Sequence, residues 1–323
     1  MPTMQSKYIW MDGELVEYAK ATVHVLTPAL HYGLSAFEGI RCYRTAHGPA
    51  VFRLREHLAR LIDSISILGV RDFPYSVEEL RQAVHQTIQA NELQQCYIRP
   101  LVYMAHGPLG INLDNSKPAV AIAVFEWGTL LGEEALVKGV RAMVSSFTRL
   151  HPNVAMTKAK IGGNYVNSVM AKTLALRSGF EEAIMLDPSG FVAECTGENL
   201  FLVRSGVIYT PPRATVLEGI TRDAVIALAS DKGYALLEEP ISRDQLYVAD
   251  EVFVSGTAAE VCAISEIDTR TIGSGRMGAV TREIQQAFFQ TVRGEGDRSA
   301  EWLDYVNPVR LPIASPAQAE TAV

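Results

Sequence analysis

Residues 160–201 read KIGGNYVNSVMAKTLALRSGFEEAIMLDPSGFVAECTGENLF, and the change of rhythm along them decides the class of fold. A helix is expected to start near Asn164 or Tyr165, and the chain then returns as a strand over Ala183 to Asp187. Pro188-Ser189-Gly190 makes a strong turn, because proline presets one backbone angle and glycine accepts a positive φ. Strands over Phe191 to Glu194 and Leu200 to Val203 follow. Helix, strand, turn and strand within one short stretch argue for α/β or α+β organisation rather than an all-helical or repeat protein.

The same alternation extends in both directions. Upstream, a hairpin is expected between Tyr8 and Val16 around Asp12-Gly13, and strand-like runs from Gly39 to Phe52 flank His47-Gly48-Pro49. Leu54, Leu58, Leu61, Ile65 and Leu68 recur on one face of a helix over Arg53 to Leu68. Ser76 is placed to cap the next helix with Glu79 reaching back, and Leu80, Val84 and Ile88 form its buried stripe. Tyr97 to Met104 and Ala119 to Trp127 read as buried strands. Leu130 to Lys138 has little regular pattern and marks the boundary, giving a first domain over 1–130, a linker over 131–138 and a second domain over 139–323. In the second, Val140 to Ser145 and Glu251 to Val254 read as strands, with helices over Thr221 to Ser230 and Val280 to Thr291. Its many short strands look barrel-like or heavily bent.

Composition narrows the function. At 323 residues and 48% hydrophobic content the chain can bury two ordinary cores. A net charge of −7 offers no general attraction to nucleic acid or an anionic membrane. Cys42, Cys96, Cys195 and Cys262 are scattered without a CxxC pair, so reduced thiols and a cytoplasmic location are expected. The first 18 residues lack a sustained apolar run and no later run reaches membrane-spanning length, so neither secretion nor insertion is expected. The seven histidines form no metal-ligand spacing, and His24 and His31 read as polar contacts.

Three features carry chemistry. Lys160 offers a primary amine that can form a Schiff base with an aldehyde cofactor and, once displaced, act as a proton-transfer base. The glycines after it allow close backbone packing beside a planar ring. An isolated lysine is ordinarily a solvated charge, and spacing alone does not choose between Lys160 and Lys158. Glu194 gains meaning beside it, since a carboxylate against a pyridine nitrogen favours the protonated, electron-accepting ring. Gly219-Ile220-Thr221 just ahead of a helix, and the turn Ser255-Gly256-Thr257, are suited to an anion. Arg60 can add a bidentate phosphate contact. Taken singly, Thr221 as a plain cap and Arg60 as a surface charge are the commoner roles.

Taken together, these segments resemble the branched-chain amino-acid aminotransferases of the fold-type IV pyridoxal-phosphate family over nearly the whole chain. The resemblance rests on HYGLSAFEGIRCY at His31, REHLARL at Arg55, YIRP at Tyr97, KIGGNYVNSVM at Lys160, ECTGENLF at Glu194, LEGITRD at Leu217 and YVADEVFVSGTAAE at Tyr247. It implies a small open α/β domain and a larger pseudobarrel domain with pyridoxal 5'-phosphate (PLP) between them. It makes Lys160 the cofactor-anchoring and catalytic lysine, with Lys158 a neighbour. Arg60, Ile220, Thr221 and Thr257 would hold the phosphate, Glu194 would meet the ring nitrogen, Tyr165 the phenolic oxygen, and Leu217 one ring face. Phe37, Tyr97, Trp127 and Ala258 are the matched candidates for an apolar pocket, with Tyr32 contributed by a partner subunit. Arg99 and the Thr257-Ala258 backbone would take the substrate carboxylate, and because glutamate must also fit, Arg41 and Arg99 would help the site accept its second carboxylate. The implied substrates are L-leucine, L-isoleucine, L-valine, L-glutamate and the matching 2-oxo acids. The implied assembly is at least a homodimer, with a hexamer built as a trimer of dimers left open, and no metal, nucleic acid or membrane is implied.

One departure from the bacterial pattern stands at Leu130, where tyrosine is frequent; it bears on substrate preference before it bears on aminotransfer. Two other readings compete. A D-amino-acid or amine transaminase, or an aminodeoxychorismate lyase, would reuse Lys160 with a different pocket. A silent metabolite-binding scaffold would keep the fold without the chemistry.

Overall fold

The computed structural model describes residues 6–128 and 131–306. Leu130, and with it the departure noted above, lies outside them.

An eight-stranded sheet forms the first unit, ordered Leu303–Tyr305, Gly48–Phe52, Ile40–Thr45, Cys96–His106, Lys117–Phe125, Tyr8–Met11, Glu14–Glu17, with Ser35–Phe37 added against Cys96–His106. Every described pairing in it is antiparallel. The helices Leu54–Leu68 and Val77–Ala90 cover one face, and their leucine and isoleucine stripes meet Ile40, Ile98, Val120, Ile122 and Val124 in a single core. Ser76 and Glu79 make the reciprocal capping box expected of them.

The second unit is a nine-stranded sheet of mixed direction, ordered Val192–Cys195, Glu182–Leu186, Val140–Val144, Glu260–Ile267, Glu251–Gly256, Asn199–Arg204, Val207–Thr210, Leu236–Glu238, with Arg270–Thr271 added to Glu260–Ile267. Val192–Cys195 stands first on this path and Asn199–Arg204 sixth, yet only Thr196-Gly197-Glu198 separates them in sequence. The sheet must therefore curl back on itself, and the Cys195 N–H donates to the Glu198 carbonyl at 2.8 Å across the seam. This is the bent, barrel-like form expected from the run of short strands.

The central strand, Glu260–Ile267, is absent from the sequence reading, which ends the preceding strand at Val254. Val261, Ile264 and Ile267 suit a strand, but Cys262, Ala263 and Ser265 between them break any period-two alternation, and Glu260 opens it at φ 57, a conformation no residue pattern announces. The boundary segment also differs from expectation. Glu133–Lys138 forms a short helix, because Ala135 and Leu136 pack on the second core and Gly139, at φ 78, ends the turn by bonding back to Ala135.

A second departure concerns the far end of the chain. Leu303–Tyr305 leaves the second unit and pairs with Gly48–Phe52 in the first, so an unbroken second domain from 139 onward omits a strand returned to its neighbour. Phe52 meets Phe288 and Trp302 edge-on at 5.4 and 5.9 Å, within a core that both sheets share. The two units are thereby fixed against each other around the cleft between them.

Candidate active site

The strand Ser35–Phe37 brings the first unit to Lys160. Ala36 bridges to Ile161, Phe37 N–H donates to the Lys160 carbonyl at 3.1 Å, and Gly163 N–H donates to the Gly33 carbonyl at 3.2 Å. Glycine is required at the crossing, since a Cβ on Gly33 would stand 2.7 Å from the Gly163 Cα. Ser64, buried on the helix Leu54–Leu68, accepts from the Lys160 backbone N–H at 3.0 Å. With its backbone held from two sides, Lys160 projects its Nζ to the Tyr165 hydroxyl at 2.5 Å, and 5.1 Å from the Phe37 ring centroid. Lys158 points elsewhere: its Nζ meets the Glu218 carboxylate at 2.9 Å and the carbonyls of Arg213 and Val216. Geometry thus separates two lysines that spacing could not.

Lys160 opens onto a cleft of about 460 Å³ whose walls include Arg60, Tyr165, Glu194, Leu217, Ile220, Thr221 and Thr257. Every residue expected at the cofactor is therefore brought to one cavity. Glu194 is buried and oriented by three donors: Arg149 Nε at 2.6 Å, and Asn199 Nδ2 and the Leu217 N–H at 3.2 Å each. Arg60 donates through Nε and Nη2 to Glu38 at 2.7 and 2.8 Å and through Nη1 to the Glu218 carbonyl at 2.7 Å. Five N–H groups less these three leave it donors for a ligand. Burial alone would raise the Glu38 carboxyl. The Arg60 guanidinium and His57 override that and hold it well below the usual carboxylate range. His57 itself is pushed down by burial, with Glu38 opposing.

At another wall, Gly219 caps the twelve-residue helix Ile220–Asp231, so the first N–H groups of that helix face the cleft. The Thr221 hydroxyl and the nearby Ser255 hydroxyl are buried, and neither has a hydrogen-bond partner among the described residues. Buried polar atoms are seldom left so. An orphaned hydroxyl in the first turn of the helix, a second on the strand Glu251–Gly256 and Arg60 make an anion cradle and fit a phosphate group.

The residues expected around the substrate form a second wall that continues outward from Tyr165, beyond the residues that line the cleft itself. Phe37 meets Tyr165 edge-on at 4.8 Å, Arg99 lies 4.9 Å over Phe37 and 5.4 Å over Tyr97, and Tyr97 meets Trp127 at 4.6 Å. Arg41 is partly committed to structure: Nη2 donates to the carbonyls of Gly128 at 2.7 Å and Ala258 at 3.2 Å, with Glu260 at 3.7 Å. Through that nitrogen it ties the Ala258 turn to the segment after Trp127; its Nε is buried with no partner among the described residues, so a donor remains for the helper role expected of it. Tyr32 is half-exposed against His31 and lies away from this chain's cleft. His31 and His24 bond locally to Val25 and Leu26. No cluster among the described residues could hold a metal ion. Arg149, Asn199, Ser64 and Glu38 escaped the sequence reading; ECTGENLF contains Asn199, but nothing local signals Arg149.

Comparison with known proteins agrees with this geometry. Residues 35–267 match the family described as amino-transferase class IV. A branched-chain-amino-acid aminotransferase of Pseudomonas aeruginosa is 48% identical over 294 residues, covering 91% of this chain and 95% of that protein. The crystal structure of the Escherichia coli branched-chain amino acid aminotransferase superposes with a TM-score of 0.92 at 48% identity, covering 94% of this chain and all of that one. The branched-chain amino acid aminotransferase from Thermobaculum terrenum, in its PLP-bound holo-form, superposes at 0.88 with 32% identity, again covering 94% of this chain and 100% of that one. With its cleft, its lysine and its two curled and open sheets accounted for, the chain belongs to the branched-chain amino-acid aminotransferase family of fold-type IV pyridoxal-phosphate enzymes.

Proposed function

We infer that the protein transfers the amino group of L-leucine, L-isoleucine or L-valine reversibly to 2-oxoglutarate, giving L-glutamate and a branched-chain 2-oxo acid, with PLP as cofactor. The observation that carries this is the convergence of Lys160, Glu194 and the orphaned Thr221 and Ser255 hydroxyls on one cleft. When bound there, PLP supplies the electron sink that makes the substrate α-proton removable.

The residues divide the work by their surroundings. Thr221, the Ile220 amide, Thr257 and Arg60 would grip the phosphate, fixing the reacting atoms against Lys160. Glu194 would meet the ring nitrogen, and its three donors hold the carboxylate in one orientation. Leu217 would cover a ring face. Lys160 Nζ would take the α-proton from the substrate carbon and deliver it to the cofactor, with the Tyr165 hydroxyl beside it accepting a hydrogen bond and keeping the amine aimed.

On the second wall, Phe37, Tyr97, Trp127 and Ala258 would receive an aliphatic side chain. Arg99 and the Thr257-Ala258 backbone would take a carboxylate. The Arg99 Nε is buried without a partner, which supports its having an anionic one. A guanidinium stacked over aromatic faces lets one wall serve an apolar side chain or a carboxylate.

The division into 1–130, 131–138 and 139–323, amended by the returned strand, is our proposed domain organisation. Val25, Leu26, Leu30 and Tyr32 are exposed apolar side chains on neighbouring turns, and Ile111 is 96% exposed. Such a patch supports a second copy of the chain as its cover, and a homodimer is the assembly we propose, with a trimer of dimers beyond it. Among the described residues no helix is long and apolar enough to cross a membrane; a cytoplasmic location is part of the proposal. With 2-oxoglutarate as acceptor, L-leucine should be the preferred donor over D-alanine in a purified-enzyme assay. A strong D-alanine preference would overturn the assignment.

A further inference from the structure

Beside Glu194, the turn that closes the curled sheet holds a second carboxyl group with no assigned part. Glu198 is 3% exposed and lines the same cleft. Its Oε2 accepts from the Gly197 N–H at 3.1 Å, while Oε1 is buried with no partner among the described residues. Its Cγ packs so closely on Gly256 that a Cβ there would stand 3.3 Å away.

Among the described residues no cation pairs with it; Lys172 acts on it only from a distance, while held by another carboxylate. On the strand Glu182–Leu186, Glu182 is fully buried and takes Lys172 from the helix Tyr165–Arg177, along with the Thr196 hydroxyl at 2.6 Å. Glu194, on the next strand, takes Arg149. The thiols of Cys195 and Cys262 complete the surroundings, and burial pushes both upward, so they remain neutral and donate no charge. Three carboxyls thus share two cations. An ionised carboxylate with one amide donor and no cation is costly to bury, and such a group takes up a proton instead.

We propose that Glu198 is a positioning residue that works as an uncharged acid: it supports the Thr196-Gly197 turn under the cleft without adding a second negative charge beside Glu194. The inference rests on reading the cleft as the PLP site, though its test needs no turnover. Burial first, and the Glu182 carboxylate second, push the Glu198 carboxyl up to about 8, in line with the charge count. In this state Glu194 remains the one anion offered to the ring nitrogen. Above that range a proton is lost, the turn acquires a charge, and the field at the ring changes.

Glu198→Gln keeps the shape and fixes the neutral form. An acid whose pKa is raised on folding binds its proton more tightly in the folded state, so wild type should lose stability relative to the variant as pH rises. The ratio of their folding constants should change about tenfold per pH unit between about 4.5 and about 8, then level off. Denaturant titrations of both holoenzymes at several pH values read this directly. In infrared spectra, wild type should show a protonated-carboxyl carbonyl band that disappears on raising the pH through this range and is missing from Glu198→Gln. The visible absorption of the variant's bound cofactor should match that of wild type at neutral pH and lose any transition that wild type shows near pH 8. Parallel stability profiles, or an infrared band unaltered by the substitution, would overturn the proposal. Should Glu198→Gln fail to fold, Glu198→Asp keeps a carboxyl and should shift the wild-type band; because burial also raises Glu260, an unshifted band would belong to another carboxyl and overturn the proposal. An inactive protein with the expected titration would instead count against the aminotransferase reading and not against this one.

Discussion

Arg149 reaches Glu194 across 45 positions of sequence at 2.6 Å, both side chains nearly sealed from solvent. Removing the arginine strands a buried carboxylate that retains only the weaker Asn199 and Leu217 contacts. Arg149→Met should therefore destabilise the protein by about 3–5 kcal/mol in denaturant unfolding. Adding Glu194→Gln to it should recover part of that loss, because the uncompensated charge is gone. The adjacent lysines test the reverse case, function without stability. Lys160→Ala should lower the rate of leucine transamination by at least about 10²–10⁴-fold and abolish the leucine-induced change in the cofactor's absorption. Lys158→Ala should retain that change, since its Nζ is turned to Glu218. Lys160, Glu194 and Thr221 were legible because each stands in a local motif with its own chemical reason. Arg149 and Ser64 were not, since their partners lie 45 and 96 residues away and only the folded backbone pairs them. Arg41 is the helper expected for a second carboxylate; two backbone carbonyls engage its Nη2, and its Nε keeps no partner among the described residues.

Among the elements, the crossing of Ser35–Phe37 with the segment after Lys160 is the tightest. Gly33 has φ 67, and its neighbour Gly163 leaves no room for a side chain. Gly33→Ala should displace the lysine segment as well as strain the turn by about 1–2 kcal/mol. Misplacement of reacting groups by about 1 Å can lower rates about 10²-fold, so kcat should fall much further than stability does. Steady-state kinetics beside thermal unfolding would check this, and equal losses in both would contradict it. The helices Leu54–Leu68 and Val77–Ala90 were readable end to end, since a repeating apolar stripe and a capping box are local signals. Glu260–Ile267 was not, because its residues do not alternate and its place at the centre of a sheet depends on the strands to either side.

Across the whole molecule, the two units are joined by a shared aromatic core and by the strand Leu303–Tyr305. Asp304 anchors that strand, accepting from Arg81 Nη2 at 2.8 Å and lying 3.0 Å from His85 Nε2. Burial opposes its charge, but the His85 and Arg81 contacts outweigh this and hold the carboxyl down at about 2. A depressed acid contributes stability above its unfolded value and loses it as pH falls. The advantage of wild type over Asp304→Asn should be constant near neutrality, shrink below about pH 3.8 and vanish near about pH 2. Acid unfolding curves of the pair would measure it. At the next level of organisation, sedimentation should find a dimer at least, and charged substitutions at Leu26 and Leu30 should yield monomers; a wild-type monomer would remove the proposed assembly. The two-unit plan could be read from composition and rhythm, whereas the return of the last strand could not, since three residues leave no periodicity to follow.

That returned strand also sets a timetable for the newborn chain. The sheet begun by Tyr8 is completed only when Tyr305 has left the ribosome, at which point the edge of Gly48–Phe52 finally acquires its neighbour. Until then, a translating chain carries an open strand edge beside exposed Phe52, the kind of surface that recruits the wrong partner. Stalled or prematurely terminated products should therefore need chaperone protection even though most of their first unit has already been made.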